Sequence, residues 1–270
     1  MEKVKRGERL AAMARILTAS PNRLHTLGEF CLLFDTAKST ISEDIDILRD
    51  SFSRFQIGTI TTIAGAAGGV MFRSVMSSET INSTLNKLAI RLSEPGRLLP
   101  GGFLYTADVC SNPDTAGRIG EIMASIYSPL SPDFVLTMET SGIPIALMTA
   151  RAMDVPLVIA RRDSRAYEGP AVKINYVGGG DRIETMTLAR RAVKPGKRAL
   201  IIDDFTKAGG TLRGMVEMMR EFDAPVVGIG VMIATAEPVK KRADGIKALL
   251  VLDKADDESG TAIVRPASVF

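Results

Sequence analysis

Two adjacent carboxylates at the end of an apolar run open the chemistry of this sequence. In Ala199-Leu-Ile-Ile-Asp-Asp-Phe-Thr-Lys-Ala-Gly-Gly-Thr211 a buried strand ends in Asp203 and Asp204, and a short loop opens a helix expected over 211–222. Ligands of an open α/β sheet bind at the carboxyl ends of its strands. The backbone N–H groups of Lys207, Ala208, Gly209, Gly210 and Thr211 converge on one point, and the helix dipole adds positive potential, which suits a phosphate. Gly209 and Gly210 let the backbone approach closely, and Thr211 adds a hydroxyl donor. Asp203 and Asp204 would repel that phosphate, so they face something else; paired sugar hydroxyls, which donate to charged acceptors, fit. The Gly-Lys-Ser/Thr ending of a Walker phosphate loop is missing. A second strand-to-loop junction, Val135-Leu-Thr-Met-Glu-Thr-Ser-Gly-Ile-Pro144, lies upstream and gains meaning only by accompanying the first.

These residues need a scaffold, and the chain is long enough for two domains. Of its 270 residues 46% are hydrophobic and 24% charged, which provides for a sizeable core. Two cysteines, Cys31 and Cys110, cannot build a disulfide framework or a four-cysteine zinc site, and they suit a reducing, cytoplasmic setting. The single histidine, His25, argues against a serine–histidine triad or a multi-histidine metal site; it is read as a surface or capping residue. No apolar stretch approaches the roughly 20 residues that span a bilayer, and none forms a signal core. From 134 onward apolar strands alternate with helices: strands at 134–137, 157–160, 200–202 and 226–234, helices at 143–153 and 211–222. That alternation predicts a parallel α/β sheet. Residues 161–185, with Gly178-Gly-Gly180, read as a long loop over a site. Arg161, Arg162 and Arg165 read as a solvated basic turn, and Phe103 and Tyr105 as core aromatics.

The first 75 residues follow another plan. Leu10, Met13, Ala14 and Leu17 predict one helix, Leu27, Phe30, Cys31 and Phe34 a second, and Ile41, Ile45, Leu48 and Phe52 a third, with Thr36 as its N-cap. Ile57–Ile63 and Val70–Val75 then form a hairpin about the turn at 64–69. Helices followed by a hairpin in this order predict a winged helix-turn-helix over 1–75, whose third helix enters the major groove of duplex DNA. Residues 76–270 are assigned to the α/β domain. Ser39, Ser42, Glu43, Asp46 and Asp50 point outward from the third helix. Because the acidic ones repel phosphate, contact is expected from the helix start, at Lys38, Ser39, Thr40 and Ser42. Lys3, Lys5, Arg6, Arg9 and wing residue Arg73 are candidates for the DNA backbone. The segment carries ten basic and eight acidic residues, a net of +2 that a dimer would double.

The 199–211 pattern resembles the phosphoribosyl pyrophosphate signature of type I phosphoribosyltransferases. The resemblance implies that Asp203 and Asp204 hold the ribose 2′- and 3′-hydroxyls, with Phe205 and Thr206 leading into the loop. Ala208, Gly209, Gly210 and Thr211 would cradle the 5′-phosphate. Lys207 departs from the small residue often found there and adds a charge. By the same carry-over Glu139, Thr140, Ser141 and Gly142 form a pyrophosphate loop, with Mg²⁺ bridging ligand oxygens. The fusion of this domain to a winged helix resembles the bacterial purine operon repressors, on Ser39-Thr-Ile-Ser-Glu-Asp44, Ile57-Gly-Thr59, Gly65-Ala-Ala-Gly-Gly69, Leu99-Pro-Gly-Gly102 and Ile174-Asn-Tyr-Val177 besides the acidic motif. That family implies a homodimeric repressor of purine synthesis and transport genes, with no transferase activity. Phosphoribosyl pyrophosphate would relieve its binding to operator DNA, and a guanine nucleotide would compete for the pocket. The alternative is an active purine phosphoribosyltransferase with an accessory winged helix.

Overall fold

The computed structural model describes residues 4–65, 68–74, 76–99, 102–163, 169–178, 182–256 and 261–268. Lys3, the turn residues Ala66 and Ala67, Val75, Pro100, Gly101, Arg165, Gly179 and Gly180 lie outside the described residues. The chain divides into two compact units, Met1–Met76 with Arg151–Asp154, and Ser77–Ala150 with Val155–Phe270.

In the first unit α1 (Arg6–Ala19) is followed by β1 (His25–Thr26), α2 (Leu27–Phe34), α3 (Lys38–Arg54), β2 (Thr59–Ile63) and β3 (Gly69–Arg73). Met13 and Leu17 of α1, Phe30 and Phe34 of α2, and Ile41, Ile45, Leu48 and Phe52 of α3 close over Ile60, Val70 and Phe72 of the sheet. Phe52 meets Phe72 edge-on with ring centroids 5.5 Å apart, a geometry worth about 0.5–1.5 kcal/mol beyond burial. The Thr26 hydroxyl accepts from Glu29 N at 3.2 Å and caps α2. At the start of α3 the N-cap is Ala37, not Thr36, whose hydroxyl instead donates to the Phe34 carbonyl at 3.0 Å. The sheet order is β1-β3-β2, antiparallel throughout. β1 is too short to show a period in sequence. It buries His25, whose Nε2 lies 2.9 Å from Ser20 Oγ and whose Nδ1 lies 3.4 Å from Glu29, so the surface assignment is corrected.

The second unit runs α4 (Ser78–Leu92), β4 (Leu98–Leu99), β5 (Phe103–Leu104), α5 (Ala107–Cys110), α6 (Pro113–Tyr127), β6 (Phe134–Met138), α7 (Ile143–Met153), β7 (Leu157–Ala160), β8 (Ala171–Val177), β9 (Ile183–Ala189), β10 (Ala199–Thr206), α8 (Gly210–Glu221), β11 (Val226–Thr235), β12 (Ile246–Asp256) and β13 (Thr261–Pro266). Among the described residues six strands pair in the order β13-β12-β11-β10-β6-β7, all parallel except β12 with β13. On one face Leu212, Met215, Met218 and Met219 of α8 pack with Val172, Tyr176, Met186 and Leu188 against Leu136, Ile201 and Val231. On the other, the Tyr127 ring lies where a Cβ at Gly228 or Gly230 would stand, and its hydroxyl donates to the Ile229 carbonyl at 2.6 Å.

The segment expected to be a long loop is largely an antiparallel hairpin, β8 with β9. β8 alternates in burial with Val172 and Tyr176 inward, and the end of β9 from Met186 to Ala189 is buried throughout, so the hairpin forms because it has a core face to cover. Phe103 and Tyr105 are about half exposed rather than core, and Phe103 lies 6.3 Å from the Phe205 ring.

Candidate functional site

The acidic pair stands at the carboxyl end of β10, between β6 and β11 at the centre of the sheet. Asp203 is buried and accepts from Asp204 N at 3.0 Å. Desolvation, then the charge of Asp204, pushes the Asp203 carboxyl well above its ordinary value. Desolvation also raises Asp204, against hydrogen bonds from Asp203, backbone amides and Thr106. Burial and mutual repulsion thus displace both carboxyls upward, and they titrate as a pair rather than as separate groups. Nearby Cys110 is pushed up to about 12, first by burial and then by the charge of Asp204, so its thiol is no nucleophile.

The loop that follows reaches α8 at Gly209, which takes φ 79° and caps the helix with no side chain. That left-handed conformation is why a glycine stands here. The first N–H groups of α8 are thus left to an anion. A Cβ at Gly210 would run into the Val177 carbonyl, and one at Gly214 would meet the Tyr176 ring, so the β8–β9 hairpin sits directly on this helix end. Burial first, then the hydrogen bond from its hydroxyl to Glu184 at 2.7 Å, raises the Tyr176 phenol to about 12, while a bond from Thr211 opposes the shift.

The upstream loop lies beside the pair. A Cβ at Gly142 would strike Asp203 Oδ1 and Thr137 Oγ1. Thr140 and Ser141 are exposed. Glu139 is turned away from this point, toward Arg161 Nη1 at 3.2 Å and the Arg162 amide at 2.7 Å. Its carboxylate fixes the loop, leaving only its backbone for an anion. The fold thus brings together Asp203, Asp204, Gly142 and the 207–211 loop. Gly102, Lys207, Thr235, Glu237 and Asp253 are among the residues lining an adjoining cleft of about 530 Å³. Thr235 and Lys241, not among the candidates read from the sequence, also stand here. Lys241 Nζ donates to the Thr235 carbonyl at 2.8 Å, and Arg242 N donates to the Ala208 carbonyl at 2.8 Å, bracing the loop from behind. The run Lys240-Lys241-Arg242 marks the charge, but only tertiary structure shows where it points.

The first unit presents a separate surface. Lys5, Arg6, Asp35, Thr36 and Thr40 are among the residues lining a cleft of about 600 Å³ at the start of α3. Lys38, Ser39, Ser42 and Arg73 are exposed. Arg9 is not available to DNA and is corrected. It is buried, its Nε donates to Asp44 at 2.6 Å and its Nη1 to the Val4 carbonyl at 2.9 Å. Arg6 Nε lies 3.2 Å from the other Asp44 oxygen and its Nη2 donates to Glu43 at 2.8 Å. Arg49, partly exposed, reaches across to the wing, with Nε donating to the Ile60 carbonyl at 3.2 Å and Nη2 to Thr62 at 2.8 Å, which ties α3 to it.

Residues 5–74 match the family described as bacterial purine repressor, N-terminal, and residues 107–261 match the phosphoribosyl transferase domain. The Bacillus subtilis purine biosynthesis transcriptional repressor is 40% identical over 93% of this chain and 88% of its own length. The chain belongs to the bacterial purine repressor family. Other members are the probable purine biosynthesis transcriptional regulator of Streptococcus pneumoniae, 38% identical over 99% of this chain and 98% of its own length, and the Lactococcus lactis purine biosynthesis transcriptional activator, 35% identical over 99% of each. The family thus carries both repressors and activators of purine biosynthesis genes. The xanthine phosphoribosyltransferase of Deinococcus deserti is 32% identical over 52% of this chain and 76% of its own length. Solved adenine phosphoribosyltransferases from Rhodothermus marinus and Thermoanaerobacter pseudethanolicus share the fold, with TM-scores of 0.54 and 0.53 over 63% and 61% of this chain and 100% and 98% of theirs, at 20% and 18% identity. Among the described residues no helix is long and apolar enough to cross a membrane.

Proposed function

We propose that this purine repressor family member is a homodimer that binds operator DNA through its first unit and releases it when phosphoribosyl pyrophosphate occupies the second. The observation that carries this reading is the buried pair Asp203–Asp204 at the end of β10, one loop away from the uncapped start of α8. Ribose hydroxyls donate to the carboxylates, and the 5′-phosphate takes the N–H groups of 208–211 and the Thr211 hydroxyl. The backbone of 139–142 meets the diphosphate. Among the described residues no group of three or more metal-ligating acids, histidines or cysteines exists, so Mg²⁺ would arrive with the diphosphate, held by ligand oxygens and water. For release to follow, the effector must bind the DNA-free and DNA-bound states unequally. A guanine nucleotide bearing two diphosphates would compete for the same cradle, and competition calorimetry tests it by displacement.

The deciding experiment is a gel shift on purine-gene promoter DNA over a salt series, with and without phosphoribosyl pyrophosphate. Retardation that the effector abolishes is expected, whereas unretarded DNA at low salt, or indifference to effector, overturns the reading. Lys38→Ala should weaken operator binding and lower the salt slope by about 0.9 for each phosphate the lysine neutralises, with the melting temperature unchanged. Gly142→Ala should weaken effector binding by tenfold or more, since the added Cβ displaces Asp203; calorimetry checks this.

The similarity to xanthine phosphoribosyltransferases favours a second reading, an active transferase. Incubation with labelled phosphoribosyl pyrophosphate and guanine, hypoxanthine, xanthine or adenine distinguishes them: nucleotide formed at enzyme-like rates supports the transferase, and intact label supports a binding site alone.

A further inference from the structure

We propose that Thr137 is a positioning residue of the effector site, supplying Asp203 with the buried donor that its ionised form needs when the sugar binds. This rests on the effector reading above. Thr137 lies on β6, is fully buried, and its hydroxyl has no hydrogen-bond partner among the described residues. Such an orphan is costly and rare, and at a functional site it calls for a ligand-linked explanation. Its surroundings supply one. The same point in space, the Cβ position of Gly142, is flanked by both Thr137 Oγ1 and Asp203 Oδ1. Because residue 142 has no side chain, both the hydroxyl and the carboxylate oxygen lie within 2.8 Å of the one point a Cβ would occupy.

Asp203 is buried and accepts a hydrogen bond from the Asp204 amide at 3.0 Å. A sugar diol donating into the acidic pair favours ionised carboxylates, and a buried carboxylate must gather further donors to stay charged. The Thr137 hydroxyl, close to Asp203 and without a partner of its own among the described residues, can supply one such donor when the diol binds. Its role is to hold Asp203 rather than to touch the sugar.

The proposal predicts opposite signs for stability and affinity. Thr137→Val keeps the shape and deletes the orphan hydroxyl. It should raise the melting temperature of the ligand-free protein by roughly 2–4 °C. It should weaken phosphoribosyl pyrophosphate binding about tenfold, the worth of one hydrogen bond to a charged group. Thr137→Ser, which retains the donor, should restore most of the affinity. Calorimetry with phosphoribosyl pyrophosphate and Mg²⁺, alongside thermal melts, on wild-type and both variants reads all of this. Wild-type affinity in Thr137→Val, or weakened affinity together with a lowered melting temperature, overturns the role of Thr137. No heat of binding to the wild-type chain overturns the effector reading itself, and the proposal with it.

Discussion

Purine-gene promoter DNA should be retarded as before by the Asp203→Asn, Asp204→Asn double variant, but phosphoribosyl pyrophosphate should no longer release it. The variant keeps the shape of the pair and removes two charged acceptors. At about 1.5–3 kcal/mol for each hydrogen bond to a charged group, the effector's affinity falls by roughly 10²–10⁴-fold. A gel shift titrated with effector reads the loss directly, and normal release by the variant would sink the assignment. The same variant has a stability signature. Both carboxyls are raised in the folded chain above the ordinary 3.8, so the folded state holds protons that the unfolded state gives up. Stability from this source is full below pH 3.8 and is lost as pH rises through the folded values. At pH 7 the Asn variant should therefore melt above the wild type, with the gap closing as the pH approaches 4. A gap that widens on acidification would contradict the upward displacement of the two carboxyls.

The second large effect is structural. Arg9→Ala strands Asp44, whose side chain is fully buried, with Arg6 as its remaining ion-pair partner among the described residues. Removing one partner of a buried pair costs about 3–5 kcal/mol, enough to unfold much of so small a unit. Chemical denaturation should show an early transition in Arg9→Ala that the wild type lacks, while Arg9→Met combined with Asp44→Leu should recover most of the stability. If instead Arg9→Ala melts normally and only shallows the salt dependence of operator binding, the arginine is a phosphate ligand after all.

That arginine shows where reading the chain by residue type stops. Arg9 precedes Met13 and Leu17 at helical spacing, and Asp44 falls between Ile41 and Leu48 on the stripe that faces them. Both positions announce burial, but their charges argue for solvent, and only the approach of α1 to α3 resolves the conflict. The strand-to-helix passages of the second unit are plain, because 199–222 changes period sharply and carries its own turn chemistry. α7 falls on 143–153 as its periodicity indicates. The hairpin at 171–189 is concealed by the Gly178-Gly-Gly180 run, whose glycines read as loop although Val172, Ile174 and Tyr176 alternate with polar residues as a strand does. Thr137 carries no signal at all, since a threonine in a strand is ordinary until its hydroxyl is found without a partner.

The seating of the hairpin on α8 also provides an optical handle. The chain has no tryptophan and only four tyrosines, so no indole drowns the phenol emission. Tyr176 lies against the first turns of α8, its hydroxyl engaged by a carboxylate. Any ligand that pulls on Thr211 disturbs that ring, and native ultraviolet fluorescence would follow occupancy of the cradle in real time without a dye.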